Sequence, residues 1–175
     1  MQTSFSLHTF SDAEIISHLD ALTEVLSNCV DGGASVSFML PFTAETAQAF
    51  WRRTAISVAR GERVLLVAKN AEQRVVGTVQ LITDQPENQP HRADVAKLLV
   101  HECARRSGVA RALMQRLEQV AIDAQKTVLV LDTATGSGAE SFYQQCGWQK
   151  VGEIPRYALM PDGELTATSI FYKFL

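Results

Sequence analysis

Residues 105 to 117 read RRSGVARALMQRL. Arginine, serine and glycine stand between an apolar run of strand length, ADVAKLLV (93 to 100), and an amphipathic helix. A helix start offers unpaired backbone N–H groups and the positive end of its dipole. Phosphate groups bind readily at such a place. Gly108 permits a backbone conformation closed to other residues and lets an anion approach closely. Arginines at 105, 106 and 111 can add charge-assisted bonds. The chemistry open to this stretch is therefore anion binding. A solvated turn with helix-favouring arginines fits the same residues.

The rest of the chain limits the choice. At 175 residues, it is expected to form one domain, residues 1–175, with a real core. The net charge of −3 argues against general nucleic-acid binding, so the arginines are a local feature. No apolar run approaches the ~20 residues of a membrane span. The start, MQTSFSLHTF, lacks the pattern of a signal peptide. Cys29, Cys103 and Cys146 are odd in number and form no metal pattern, which favours reduced thiols in a cytoplasm. His8, His18, His91 and His101 make no cluster, although His101 is placed to line a cleft beside the strand.

Several elements must position the cradle. SFSLHT (4 to 9) alternates as a strand. Ser11 and Glu14 have capping-box spacing, and Ile15, Leu19, Leu22, Leu26 and Cys29 then recur at helical spacing up to Gly32-Gly33. Pro41 and Thr43 introduce a second helix that ends at Gly61. RVLLVAK (63 to 69) and RVVGTVQLI (74 to 82) read as a hairpin. After a polar loop come the strand 93 to 100, the helix 109 to 124, and TVLVLDT (127 to 133), a central strand expected to be covered on both faces. Ser137 and Glu140 suggest a second capping box, opening a helix that ends at Gly147. Two final strands turn at Pro161-Asp162-Gly163. The strand–helix–strand unit at 93 to 133 implies two parallel neighbours. The fold class is α+β, a mixed sheet with helices packed on it.

Two motifs give this pattern a family. Arg105-Arg-Ser-Gly108-Val-Ala110 resembles the acyl-CoA-binding motif of the GNAT N-acetyltransferases, Gln/Arg-x-x-Gly-x-Gly/Ala. Ala139-Glu-Ser-Phe142-Tyr143 followed by Gly147-Trp148 resembles the family's second signature. Both occur in the family's order, and the resemblance covers nearly the whole chain. It implies the GNAT fold: a mostly antiparallel sheet of about seven strands with a splayed parallel pair, flanked by about four helices. Within the family, Gly32 to Met39, Arg92 to Val100, Leu131 to Tyr143 and the ending from Pro161 resemble a branch that acetylates a small amino-acid-like toxin.

The resemblance also implies roles. Acetyl-CoA would be the cosubstrate, without a metal. Its pyrophosphate would rest on Arg105, Arg106, Ser107, Gly108, Val109, Ala110 and Arg111. Its pantetheine arm would pair with Leu98, Leu99 and Val100, with Phe142 and Ser137 also near. Many relatives carry Asn where this chain has Gly136, and Ser137 is the candidate replacement. Tyr143 would serve the sulfur as general acid. Asp94 and Asp132, on neighbouring strands, are both candidates for the base. Gly32 to Phe38 and Arg156 to Leu165 would face the acetyl group from opposite sides. The partner is then a small-molecule amine, with no nucleic acid and no membrane; a homodimer stays open. Two other functions also stay open: acetylation of peptide N-termini, as on ribosomal proteins, and a CoA-sensing module without catalysis.

Overall fold

The computed structural model describes residues 4 to 175; the first three residues of the stretch read against a signal peptide lie outside it. Seven strands form one sheet: β1 (Phe5–Phe10), β2 (Arg63–Asn70), β3 (Val75–Ile82), β4 (Arg92–Val100), β5 (Val128–Ala134), β6 (Gln149–Leu159) and β7 (Leu165–Phe174). Their order across the sheet is β1-β2-β3-β4-β5-β7-β6. Every neighbouring pair is antiparallel except β4 and β5. Five α-helices accompany the sheet: α1 (Asp12–Ser17), α2 (Leu19–Asp31), α3 (Ala44–Ala59), α4 (Val109–Asp123) and α5 (Gly138–Gln145). A short 3₁₀ turn covers Glu102–Ala104.

Strand alternation builds two cores. Leu65 and Val67 of β2 join α1, α2 and α3 around Trp51, Leu22 and Leu26. Leu66 and Ala68, pointing the other way, join Leu113, Met114 and Leu117 of α4. The period-2 pattern of the strands thus meets the helical spacing predicted on each side.

Three expectations need correction. The first long helix is two helices, so there are five rather than four. His18 leaves helical geometry at φ −108°, ψ 21°. Its ring lies 4.7 Å from that of Phe10, and its Nδ1 is 2.9 Å from the Glu14 carbonyl. A side chain turned back onto β1 therefore occupies the break. The capping box at Ser11 does form, with both reciprocal bonds present. At Ser137 the second capping box does not: Ser137 makes no capping bond. Glu140 reaches past it, and the Gly136 amide donates to Glu140 Oε2 at 2.7 Å. Finally, β5 is fully buried only at Leu129 and Leu131, and Asp132 is exposed. Its other face looks into an opening rather than onto a helix.

Gly77 shows how closely α4 sits on the sheet. A Cβ built there would lie 2.9 Å from a Val109 methyl, 3.2 Å from Leu113 and 3.3 Å from the Leu99 carbonyl. The helix that opens at Gly108 is therefore seated against β3 and β4 by a missing side chain. Replacing Gly77 with Val overpacks this contact and should cost about 1–3 kcal/mol. For a chain of this size the melting temperature should fall by several degrees, at roughly 2–4 °C per kcal/mol. A calorimetric scan with no fall would mean that the helix has room to move.

Candidate active site

The site begins with a failure of pairing. β4 and β5 are in register only at Arg92↔Val128, Ala93↔Leu129 and Asp94↔Val130. Beyond these rungs β4 stays with β3 as far as Val100↔Gly77, and β5 stays with β7 as far as Ala134↔Thr168. The parallel strands therefore part, and their facing edges border a cleft of about 300 Å³. Its walls include Val95 to Leu98 from β4, Asp132 to Ala134 from β5, Ser137, Ala139 and Tyr143 from α5, Gly33 to Ser37, and Met160. Of the two segments expected to face the acetyl group, Gly33 to Ser37 lines the cleft directly, whereas the second reaches it only at Met160, its first four residues being the end of β6. The Leu40 amide donates to the Pro161 carbonyl at 3.0 Å, so the two walls are joined.

A bulge shapes the β4 side. Thr78 faces Leu99 whereas Gln80 faces Ala96, so β4 carries one extra residue between those rungs. Lys97 absorbs it at φ 55°, an uncommon conformation for a side-chain-bearing residue. The Thr78 hydroxyl donates to the Lys97 carbonyl at 3.1 Å and holds the bulge. Leu99 points into the core, Leu98 is half-buried on the cleft wall, and Val100 is half-buried against the α4 core.

The cradle lies beyond the end of β4. Arg106 at φ 59° and Gly108 at φ 86° both take left-handed geometry. Gly108 is the N-cap of α4 and offers no side chain. A Cβ at Gly108 would meet nothing within 4 Å. The Ser107 hydroxyl donates to the Ala104 carbonyl at 2.5 Å, tightening the turn. Among the described residues, the amides of residues 106 to 111 donate to no backbone or side-chain oxygen. Open space and free donors at a helix start suit a pyrophosphate. Arg106 and Arg111 are exposed and have no carboxylate partner among the described residues. Arg105 turns elsewhere: its Nε donates to the Val100 carbonyl at 3.3 Å. Its side chain ties the loop to β4 instead of extending the cradle.

Tyr143 lines the cleft and makes no side-chain hydrogen bond among the described residues. Its ring packs against Phe142, Trp148 and Phe171 at 5.4, 6.1 and 6.0 Å. Burial, helped by the charges of Cys146 and Asp132, pushes its hydroxyl up to about 12. At neutral pH it is a donor. Ser137 lies on the wall, its hydroxyl 3.5 Å from that of Thr133. Behind it, hydrogen bonds from Ser169 and the Gly136 amide, with Lys150, hold the Glu140 carboxyl down to about 2. A charged Glu140 fixes the turn between β5 and α5.

The two acids are not brought together. Asp132 lies beyond the point of parting, lines the cleft, and accepts a 2.9 Å bond from the Thr168 hydroxyl. Asp94 stands on the last shared rung. Arg92 is ion-paired to it, and Gln85 donates to its other oxygen at 3.1 Å. Asp94 does not line the cleft. His101 is likewise elsewhere: it accepts from the Cys103 amide at 3.2 Å and sits 3.7 Å from Glu24.

One cationic wall residue belongs to neither motif. The Lys97 ammonium extends to the Ser37 hydroxyl at 3.1 Å. Burial lowers its pKa, the charge of Asp132 opposes that shift, and Arg63 adds to it. A lysine inside the apolar run ADVAKLLV was the available signal.

Comparison with known proteins agrees with this architecture. A human protein, N-acetyltransferase 8, is 35% identical over 85 residues, which is 47% of this chain and 37% of the length of that relative. Ribosomal-protein-alanine N-acetyltransferase from Brucella melitensis superposes with a TM-score of 0.79 at 20% identity, covering 97% of this chain and 99% of that one. A Salmonella typhimurium structure with its cofactor acetyl-CoA superposes at 0.75 with 15% identity, covering 99% and 95%. These superpositions are evidence of a shared fold. The acetyltransferase (GNAT) family model matches residues 34–148, the span that holds the cleft wall, the cradle and the second motif, and the chain belongs to that family.

Proposed function

We propose that the protein is an acetyl-CoA-dependent N-acetyltransferase that acts by direct transfer to the amine of a compact, amino-acid-like acceptor. The observation that carries this reading is the cleft where β4 and β5 part, with Tyr143 and Asp132 on its walls and the unpaired amides of 106 to 111 beyond one end of β4. Those amides, with Arg106 and Arg111, would hold the pyrophosphate. The free edge of Leu98 to Val100 would pair with the pantetheine arm. Acetyl-CoA supplies the acetyl group as a thioester.

Each residue then has a defined task. An amine of ordinary pKa, about 8 to 10, arrives as ammonium and cannot attack until it loses a proton. Asp132 attracts the ammonium and accepts that proton, directly or through water. The nitrogen forms its bond to the acetyl carbon, and the carbon–sulfur bond breaks. Backbone N–H groups at the β4 bulge donate to the carbonyl oxygen as charge develops there. Tyr143 donates to the departing sulfur. A phenol at about 12 lies roughly three units above an ordinary thiol. Complete proton transfer to a solvated thiolate is therefore uphill. Tyr143 acts chiefly as a hydrogen-bond donor that stabilises the thiolate, with full protonation following at the solvent.

Three features support a compact acceptor and catalysis over peptide acetylation or CoA sensing. The cleft is small, its walls are bonded to each other through Leu40 and Pro161, and it contains both a carboxylate and a phenol. The chain also resembles the tabtoxin resistance acetyltransferase in the GGAS-V-x-FM segment at Gly32 to Met39, in the strand Arg92 to Val100, and in LDT-x-x-GS-x-AE-x-FY at Leu131 to Tyr143. Acetylation of a toxin or antibiotic carrying an amino-acid framework follows from that resemblance. A screen of amines and amino acids with free-thiol detection tests the reading. Absence of acceptor-dependent CoA release across both classes would count against it.

The cradle is tested at Gly108. Gly108→Asp places a carboxylate where the pyrophosphate would lie, while Gly108→Asn gives a neutral side chain that tolerates left-handed geometry nearly as well. Acetyl-CoA affinity should fall at least tenfold, about 1.4 kcal/mol, in the Asp variant and clearly less in the Asn variant. Equal affinities by calorimetry in folded proteins would place the phosphates elsewhere.

Tyr143→Phe keeps the ring packing and removes only the donor. Its kcat should fall by about 10²-fold with acetyl-CoA affinity nearly unchanged. Because burial raises the hydroxyl to about 12, it stays protonated until far above neutrality. The ratio of wild-type to mutant kcat should therefore be flat between about pH 6 and 9. A ratio that collapses toward one across that range would show a group of much lower pKa doing the work.

The acids separate by their surroundings. Asp132→Asn should lower kcat far more than acetyl-CoA affinity, and activity should recover as rising pH supplies free amine. Asp94→Asn should lose the Arg92 pair, lower the melting temperature, and leave kcat per folded molecule near wild type. The reverse pattern in steady-state kinetics and melts would transfer the base to Asp94.

A further inference from the structure

Lys97 differs from Lys126, Lys150 and Lys173, whose ammoniums are tied to oxygen acceptors, and from Lys69, which stands over the Phe10 ring away from the cleft. Lys150 pairs with Glu140 and Glu153, and Lys173 pairs with Glu118. Lys126 is tied to the Thr83 and Pro90 carbonyls at 3.1 and 2.7 Å. Lys97 is half-buried in the cleft wall, yet among the described residues it has one hydrogen-bond partner, Ser37, and no carboxylate within ion-pair distance. An ammonium carries three donors, and beyond the Ser37 bond the remaining two face the open cleft. The ammonium also lies 5.9 Å from the centre of the Phe50 ring. A half-buried cation that faces a cleft without a protein counter-ion is placed to meet an anionic group of a ligand there.

The backbone places this cation deliberately. Lys97 occupies the left-handed position of the β4 bulge, where a glycine would be cheaper. Asp132 stands in the same cleft on β5, held by Thr168. The two opposite charges do not pair with each other. One cleft of about 300 Å³ therefore holds a separated cation and anion, both anchored to backbone that is already paired on its far side.

We propose that Lys97 and Asp132 form an acceptor site that reads a zwitterion: Asp132 receives the amine that is acetylated, and Lys97 receives an anionic oxygen group, such as a carboxylate, on the same small molecule. The inference deepens the acetyltransferase reading and rests on it. A plain amine would bring a second cation toward Lys97 and leave its donors unfilled. An acceptor with a carboxylate satisfies both charges at once. Lys97 is in this sense a specificity-determining residue, and the proton and acetyl transfers need no change.

Matched trios test the idea: each of a panel of amino acids, its carboxamide, and the amine left after loss of the carboxyl. Steady-state kinetics would be run on the full chain and on Lys97→Met, which keeps the length of the side chain and removes its charge. Acetyl-CoA affinity and a melting curve establish that the variant is folded and loads its cosubstrate. In the wild type, kcat/KM should favour the acid over its carboxamide by at least tenfold, about 1.4 kcal/mol. In Lys97→Met that preference should vanish, mainly through a rise in KM for the acid that exceeds any change for the carboxamide. Wild-type enzyme that uses carboxamide and acid equally, or a preference that survives in Lys97→Met, overturns the role of Lys97 and leaves the acetyltransferase reading standing. Absence of acceptor-dependent CoA release with every member of every trio overturns both.

Discussion

Beyond Asp94 and Val130 the two parallel strands stop sharing hydrogen bonds. The backbone groups left facing each other must find other partners, because an unpaired N–H or carbonyl away from water is costly. The strands cannot close the gap themselves. β4 is pinned along its other edge to β3, and β5 to β7 through Ala134. The opening is thus a fixed property of the sheet. A ligand with alternating donors and acceptors can complete one edge as an added strand would. The remaining parts of the site are arranged around that opening.

Charge is distributed along it in a definite order. Beyond the end of β4, amides and two arginines without partners among the described residues make a local positive patch on a chain whose net charge is −3. Within the opening, burial pushes the Tyr143 hydroxyl further up, to about 12, so that it stays a neutral donor well into the alkaline range. On the strands themselves stand Asp132 and Lys97. An anion, a neutral reacting centre and a charged acceptor would each meet the surroundings they need. The packing that holds this order is close: Gly77 admits α4 against β3, and Glu140 locks the turn that leads into α5.

Much of this was legible in the sequence. Alternation and helical spacing located all seven strands and the helices around the core, because those patterns report burial directly. Arg105 to Ala110 located the left-handed turn with its free amides, and Ala139 to Tyr143 the phenol on the cleft wall, since both depend on local backbone geometry. Other features were not legible, for physical reasons. The break at His18 depends on a ring stacking against Phe10 from another element. The Ser137–Glu140 spacing matched a capping box, yet the carboxylate found the Gly136 amide instead. Asp94 and Asp132 are equivalent as letters. Only the register of β4 on β5 decides that one sits on the last shared rung and the other beyond it.

Lys97 illustrates the same limit more sharply. In an extended strand its side chain would follow strict alternation with its neighbours. The extra residue between the Ala96 and Leu99 rungs breaks that alternation. The bulge therefore does two things with one insertion. It interrupts the ladder, so that backbone groups there are free to face the proposed acetyl carbonyl, and it projects a cation into the cleft. The residue proposed to bind the acceptor and the amides proposed to polarise the acetyl group would then be fixed by the same local distortion. Any change that straightens β4 would move both together. On the proposed reading, acceptor recognition and activation of the acetyl group would be coupled through the backbone of a single strand.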